Sequence, residues 1–510
     1  MGRKILFVTT DQQRYDTLGC NGGTLARTPV IDALAAEGIR YERAHPQSVV
    51  CMPSRATMLT GQYPTTHGVW MNGVPLPIDA PSVAEALRRH GYRTALVGKA
   101  HFEPFLDPFL RFPENAQAGI GTVPPGGVHR GFEHLELATH GSIGPLHYAR
   151  WLAREHPEAV AGFYRPLDSS LQVNAEGGGD TGAPQVKVNP VERGVYHTDW
   201  VADRAIDWLD GLEADDDWFC WMSFPDPHHP WDPPATESRK ISWRDLDLPA
   251  GHPGSVDACV KILSEKPSHW LGYFDGSFSN LEGGPAEFVP QLMTHDQVRE
   301  VNALVHAENQ LIDAALGRVL AYVSSRGWDS DTDVFFTTDH GELQGDFGLL
   351  FKGSYHCDAL MHLPMIWRPA PSAGIAPAEV PEPVGQIDLA ATFCHIAGLP
   401  LAPWIQGEVL PTAPGSRRER VITEWDSQFP DVDFHLRSIY ADGWLATAYE
   451  AGGRYDGTEG ELYDVAEDPQ QWHNRWDDPA CQARRSDMIA DLYDHLPEPR
   501  QPRLEVEAPV

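Results

Sequence analysis

The sequence predicts an α/β protein: a large, mostly parallel sheet packed between helices, followed by a smaller C-terminal α+β domain that carries an antiparallel sheet. Three features predict it. Short apolar runs that close on polar residues recur at 5–8, 94–97, 218–224 and 334–338. Uninterrupted runs of this kind suit strands buried on both faces. Segments of helical spacing lie between them, as a parallel sheet with crossover helices requires. Beyond residue 420 the pattern alternates instead, at 421–425, 437–441 and 445–449, which suits an antiparallel sheet.

Each element follows from local signals. Residues 30–38 (Val-Ile-Asp-Ala-Leu-Ala-Ala-Glu-Gly) repeat apolar positions at helical spacing and end on a Gly suited to a helix C-terminus. A helix over 54–60 is predicted by Pro53, which sacrifices no needed N–H in a first turn, and by Gly61 at its end. Residues 82–90 have the same helical spacing. The Gly-rich stretch 174–190 reads as a surface loop, and 226–253, with its Pro, His and Trp residues, as an ordered loop over a pocket. Residues 301–323 read as a long amphipathic helix with Leu304, Val305, Ile312, Ala315, Leu316 and Val319 on one side. A Pro-rich zone at 369–383 precedes a helix at 386–398, and the Pro-rich segment 400–414 marks the crossing between domains. The boundaries expected are therefore 1–400 for the large domain and 401–510 for the small one. The polar tail after Pro497 is either frayed or an arm for a partner subunit, which leaves a homo-oligomer open.

Composition narrows the chemistry. A formal net charge of −33 over 510 residues argues against nucleic acid and anionic membrane surfaces as partners. An anionic small molecule would be repelled at long range, so its binding demands a local cluster of cations. No stretch of about 18 apolar residues exists to span a bilayer. The run 5–8 is too short for a signal peptide, so a cytoplasmic location is expected. Seven scattered cysteines without a C-x-x-C pair exclude a disulfide framework and a thiolate zinc centre.

Ligands of open parallel sheets bind beyond the carboxyl ends of the strands. The four runs end in Asp11-Gln12, Lys99-Ala100-His101, Asp226-Pro227-His228 and Asp339-His340-Gly341. Asp11 and Asp339 can face each other across neighbouring strands and hold a divalent cation, with Gln12 and His340 completing its shell. Oxygen donors with one imidazole suit Ca2+ or Mn2+ better than a structural zinc. Cys51-Met52-Pro53-Ser54-Arg55, followed by Leu59-Thr60-Gly61, is a further signal. A single thiol is ordinarily a small buried hydrophobe, but Cys, Pro and Arg at this spacing have no shared packing reason. Residue 51 would sit at a helix N-terminus, where free N–H groups favour an oxyanion. Arg55, one turn in, could fork onto residue 51 or the anion, a geometry Lys cannot reproduce.

These segments, with Thr28-Pro29-Val30-Ile31-Asp32-Ala33-Leu34, Gly98-Lys99-Ala100-His101, Glu461-Leu462-Tyr463-Asp464 and Asp468-Pro469, resemble the type I sulfatases of the alkaline phosphatase superfamily from about Lys4 to Pro479. The resemblance implies an arylsulfatase-like sulfuric ester hydrolase acting on a small organic monosulfate, in which a separate maturation enzyme oxidises Cys51 to formylglycine. It implies Asp11, Gln12, residue 51, Asp339 and His340 as metal ligands. Arg55 and Lys99 would hold residue 51 and the sulfate, His101 would take the proton that drives sulfate release, and His228 and Lys352 would assist the leaving oxygen. Asn72 matches a position that contacts the transferred group. The commoner pattern has two carboxylates at 11–12 and Asn at 340. The Asp-Gln and Asp-His pairing is similar to phosphonate monoester hydrolases and choline sulfatase, so phosphonate or phosphodiester hydrolysis is the alternative. Lys99 and His101, uncharged in the phosphonate enzymes, favour sulfate. A third reading is an anion-binding scaffold whose Cys51 stays a thiol.

Overall fold

A computed structural model describes residues 3–508 apart from 26, 108, 118–126, 143, 168–172, 281, 283, 286, 430 and 431. The strands are β1 (Lys4–Thr10), β2 (Ile39–His45), β3 (Arg93–Gly98), β4 (His134–Leu137), the two-residue pair β5 (Gly177–Gly178) and β6 (Ala183–Pro184), β7 (Trp218–Ser223), β8 (Thr332–Thr338), β9 (Met365–Arg368) and β10 (Ala378–Gly385). After them come β11 (Arg420–Phe429), β12 (Val432–Ala441), β13 (Trp444–Glu450) and β14 (Gly460–Asp464). Eight form one sheet in the order β10-β2-β9-β8-β1-β7-β3-β4. Only β9 runs against its neighbours. Strands β11 to β14 make a separate antiparallel sheet in sequence order.

The four apolar runs are β1, β3, β7 and β8, and they stand side by side in the middle of the large sheet. Their alternation shows why both faces had to be apolar. Ile5, Phe7, Leu96, Phe219, Trp221 and Phe335 point into one core, while Leu6, Val8, Ala95, Val97, Cys220, Met222, Val334 and Phe336 point into the other. The helices Cys51–Thr60, Val83–Arg89 and Asp388–Ile396 cover the first face, and Pro29–Glu37, His197–Asp210 and His295–Ser325 the second. Each fully buried side chain of this size contributes about 1.5–3 kcal/mol, so the sheet's centre is its most strongly held part.

Several sequence expectations are corrected here. The strands β2, β4, β9, β10 and β14 were not expected. Strand β10 lies inside the Pro-rich zone, at the edge of the sheet where missing N–H groups are tolerated. The long helix begins at His295 rather than residue 301, because Thr294 and Gln297 form a reciprocal capping box ahead of the first apolar turn. The tail is not frayed. It lies along its own chain: Arg500 N–H donates to Thr65 O (2.9 Å), Trp70 Nε1 to Leu504 O (2.7 Å) and Glu507 N–H to Gly73 O (2.9 Å). Among the described residues no helix is long and apolar enough to cross a membrane.

Candidate active site

Strand register sets the site. Thr10 of β1 lies opposite Thr338 of β8, and Gly98 of β3 opposite Ser223 of β7. The strand tips are therefore level, and Asp11, Lys99 and Asp339 leave the sheet together. One ligand atom each from Asp11, Cys51, Asp339 and His340 lies within 4.8 Å of the others, and all four residues are buried. The pairing of Asp11 with Asp339 across adjacent strands is thus as the sequence predicts.

Cys51 opens its helix, which starts three residues earlier than expected and still keeps Pro53 in the first turn. Gly61 ends it in the left-handed conformation (φ 67°), donating to Thr57 O at 2.8 Å. Cys51 Sγ lies 3.2 Å from His340 Nε2 and 3.7 Å from both Asp11 Oδ1 and Lys99 Nζ. Burial, reinforced by Asp11, pushes the thiol up to about 12. An unaltered Cys51 is therefore protonated and a poor nucleophile.

His340 is prepared as a ligand. Its Nδ1 donates to Gly341 O at 2.9 Å, which leaves the Nε2 lone pair facing the cup. Burial lowers its pKa to about 4, so the ring is neutral. Asp339 accepts from Gln12 N–H (3.0 Å), His340 N–H (2.9 Å) and Arg55 Nε (2.9 Å). Burial alone would raise the Asp11 carboxyl, but Lys99 and Arg55 outweigh it and hold Asp11 well below its ordinary range. The buried Asp11 carboxylate thus stays ionised beside the thiol.

The sequence allows Arg55 two partners, residue 51 and a bound anion, and the first is not met. Its guanidinium forks onto Asp339, Lys99 O (2.7 Å) and Ser223 Oγ (2.8 Å), not onto residue 51. One nitrogen, Nη2, is buried without a hydrogen-bond partner, 3.5 Å from Asp11. Gln12 turns its amide oxygen to Lys352 Nζ (2.6 Å), while its Nε2 donates to Glu342 and to His229 Nδ1 (3.1 Å). Asn72 is already engaged: Oδ1 accepts Met52 N–H (3.0 Å) and Nδ2 donates to Glu282 (2.8 Å). It satisfies an N–H of the first turn of the Cys51–Thr60 helix as well as lining the cavity. Lys352 also donates to His228 Nε2 at 2.6 Å, since His228 Nδ1 donates to His229 O.

His101 sits at φ 56°, a strained conformation of the kind kept at functional sites. Both its ring nitrogens are buried without a hydrogen-bond partner. Burial and then Lys99 push its pKa well down, leaving a neutral acceptor. Cys51, Lys99, His101, His228 and Lys352 all line one cavity, with Phe105, Leu106, Leu167 and Pro230 as its apolar part.

Asp226 is not in the cup, because it accepts from His197 Nε2 (2.6 Å), Tyr196 and Thr198. Of the loop 226–253, His228, His229 and Pro230 line the cavity, whereas Trp231 packs into a core with Val301 and Phe351. Sequence reasoning missed His140, whose Nε2 is 3.4 Å from Lys99 Nζ and whose ring stacks on His228 at 4.1 Å. It also missed Glu342, which orients Gln12, and Gln386, which with Ser54 Oγ pins the β8 tip through Thr338 O and Asp339 O. None of them borders an apolar run, so no periodic signal marks them.

A mostly parallel sheet whose central strand tips gather carboxylates, an imidazole and cations around one side chain at a helix N-terminus defines a hydrolase of the alkaline phosphatase-like architecture. The Sulfatase family model matches residues 3–135 and 139–399, and the chain belongs to that family. It is 26% identical over 498 residues to an uncharacterised sulfatase, YidJ, of Escherichia coli, covering 98% of this chain and 88% of that protein. It is 26% identical to the choline-sulfatase of Rhizobium meliloti, covering 83% and 74%. Among solved structures, the phosphonate monoester hydrolase of Agrobacterium radiobacter shares the fold with a TM-score of 0.74 at 24% identity, covering 96% and 95% of the two chains.

Proposed function

We propose that this protein is a sulfuric ester hydrolase of the arylsulfatase type, cleaving a small organic monosulfate with formylglycine derived from Cys51 and one Ca2+ or Mn2+. The observation that carries the reading is the convergence of Asp11, Cys51, Asp339 and His340 within one buried cup, with Lys99, His101, His228 and Lys352 around the adjoining cavity. The residues fit a hard cation: the Asp11 and Asp339 carboxylates and one neutral imidazole lie together, and the Gln12 amide oxygen would have to leave Lys352 to join them. Such an ion would supply positive charge that acidifies the attacking hydroxyl and neutralises ester oxygens.

The chain's own groups do the rest. One hydroxyl of the hydrated aldehyde at residue 51 attacks sulfur as its proton passes to the Asp11 carboxylate, 3.7 Å from that side chain. The ester S–O bond breaks, and the leaving oxygen takes its proton from the hydrogen-bonded Lys352–His228 pair. Lys99 stands 3.7 Å from the residue-51 side chain, close enough to balance the sulfuryl oxygens. The second hydroxyl then gives its proton to the unpartnered imidazole of His101, the aldehyde re-forms and sulfate departs.

The alternative, phosphonate or phosphodiester hydrolysis, draws on the Asp11-Gln12 and Asp339-His340 pairing and on the shared fold. Comparing kcat/KM on 4-nitrophenyl sulfate and on a phenylphosphonate monoester separates the two. A higher value for sulfate is expected, and a large preference for the phosphonate reverses the ranking. Mass spectrometry of the peptide containing residue 51 should find the aldehyde; a thiol throughout, with no turnover, would leave the scaffold reading.

A second expected result concerns the cup's geometry. Gly98 has φ +105°, and a Cβ there would meet Ser223 O at 1.8 Å, the same oxygen that accepts Lys99 N–H at 2.9 Å. Gly98→Ala must push the β3 and β7 tips apart and carry Lys99 with them. A displacement near 1 Å costs about a hundredfold in rate, so kcat/KM should fall by about that factor while far-UV circular dichroism stays native. An unchanged rate would mean that Lys99 needs no fixed position.

A further inference from the structure

Outside the active site, Glu103, Glu114 and His129 bring one ligand atom each within 4.8 Å of one another. They are nearly inaccessible, at 2%, 1% and 3% exposure. Nothing in the proposed chemistry uses them. Arg130 accounts for one of the two carboxylates: it donates to Glu103 Oε1 at 2.6 Å and spends its other contacts on Leu76 O (2.6 Å) and Pro77 O (2.9 Å). The second carboxylate, Glu114, accepts Phe102 N–H at 3.0 Å and has no cation of its own among the described residues. Burial, with Glu103 beside it, pushes the Glu114 carboxyl well above its ordinary range, so without a cation this carboxyl holds a proton that a metal ion would displace.

The imidazole beside it is the independent sign of a ligand. His129 Nε2 is buried, has no hydrogen-bond partner, and stands 4.0 Å from Glu114 Oε1. That separation exceeds the roughly 3.2 Å limit of a hydrogen bond. It falls within the span of about 4.2 Å that two ligands on one ion can have when each bond is about 2.1 Å. Burial, with Arg130 next to it, holds the ring neutral with a pKa of about 3, so its lone pair is available.

We propose that Glu103, Glu114 and His129 bind a divalent cation of the zinc or manganese class, separate from the one in the cup. Two carboxylates with one imidazole form a mixed oxygen and nitrogen set that ions of this class accept. The placement gives the ion a task. Glu103 lies two residues past His101, and Glu114 binds the backbone of Phe102, so an ion on these two would tie the loop that carries Lys99 and His101 off β3 to the turn that holds His129. His129 belongs to a turn closed on itself by its two backbone hydrogen bonds with Phe132 (3.0 and 2.8 Å), which makes that end of the clamp rigid.

The test uses the full-length Asp339→Ala protein, stripped with a chelator, reloaded with Zn2+ alone and freed of excess by gel filtration. Elemental analysis should find one equivalent of zinc per chain, removed when His129→Gln or Glu114→Gln is added to that background. Zinc should also raise the thermal midpoint of Asp339→Ala and fail to do so in the double variants. No retained zinc in Asp339→Ala, or one equivalent that survives both added substitutions, overturns the proposal. This readout is independent of whether the enzyme prefers sulfate or phosphonate.

Discussion

Asp339→Ala should abolish turnover, losing the equivalent of divalent cation held in the cup while keeping the native fold. The carboxylate faces Asp11 across the β1–β8 register and lies within the four-residue cluster, so its removal leaves a hard cation with too few anionic donors. Loss of that positive charge forfeits several kcal/mol of transition-state stabilisation, which at 1.36 kcal/mol per decade is about a thousandfold or more in kcat/KM. Stability should also fall, because fully buried Arg55 loses its Nε partner and an uncompensated buried charge costs about 3–5 kcal/mol. The central strands are held by packing on both faces, so circular dichroism should stay native although the thermal midpoint drops. Asp339→Asn separates the contributions, since it keeps an acceptor for the Gln12 and His340 N–H groups but not the charge. Activity within tenfold of the unaltered enzyme, with the ion retained, would remove Asp339 from the metal centre.

What could be read from the chain tracks what each residue packs against. The strands β1, β3, β7 and β8 are buried on both faces, so only continuous apolar runs would serve, and such runs are visible. Strand β2 carries Arg40, paired with Glu42 and Glu379, and Arg43, paired with Asp358, and it reads as polar. Strand β10 at the edge tolerates two prolines that argue against a strand. The same logic governs the site. Asp11, Lys99 and Asp339 follow apolar runs directly and were found by position. His140, Glu342 and Gln386 reach the cup from irregular segments, and only coordinates bring them there. Lys352 came from family resemblance, and its contacts with Gln12 and His228 give that role a geometry.

Under the proposed function, the charge paradox of a strongly acidic protein and an anionic ester resolves locally. Arg55, Lys99 and Lys352 are each no more than 2% exposed, so their field acts within the cup and is little screened by salt. The adjoining cavity keeps an apolar side of Phe105, Leu106, Leu167 and Pro230, where an ester's organic portion can lie. Long-range repulsion from the net charge of −33 then lowers the encounter rate without weakening the bound state. Raising ionic strength should accordingly leave kcat nearly constant.

Cys51→Ser is the sharpest separation of nucleophile from site. The serine hydroxyl would occupy the Sγ position, 3.2 Å from His340 Nε2 and 3.7 Å from Lys99 Nζ, so the first displacement on sulfur keeps its surroundings. The sulfated serine then has no second hydroxyl on the same carbon. Elimination is closed to it, and release needs a fresh attack on sulfur by water, the difficult step that a geminal diol avoids. Aryl sulfate should therefore give a burst approaching one equivalent of phenol per active site, followed by steady turnover lower by about a thousandfold or more. The stalled protein should carry one sulfuryl group on residue 51, detectable by peptide mass spectrometry. Cys51→Ala should show neither burst nor adduct, which tells loss of the nucleophile from damage to the cup. Sustained turnover by the serine variant, with residue 51 still an unoxidised serine, would place the nucleophile elsewhere and leave the helix N-terminus as an anion seat alone.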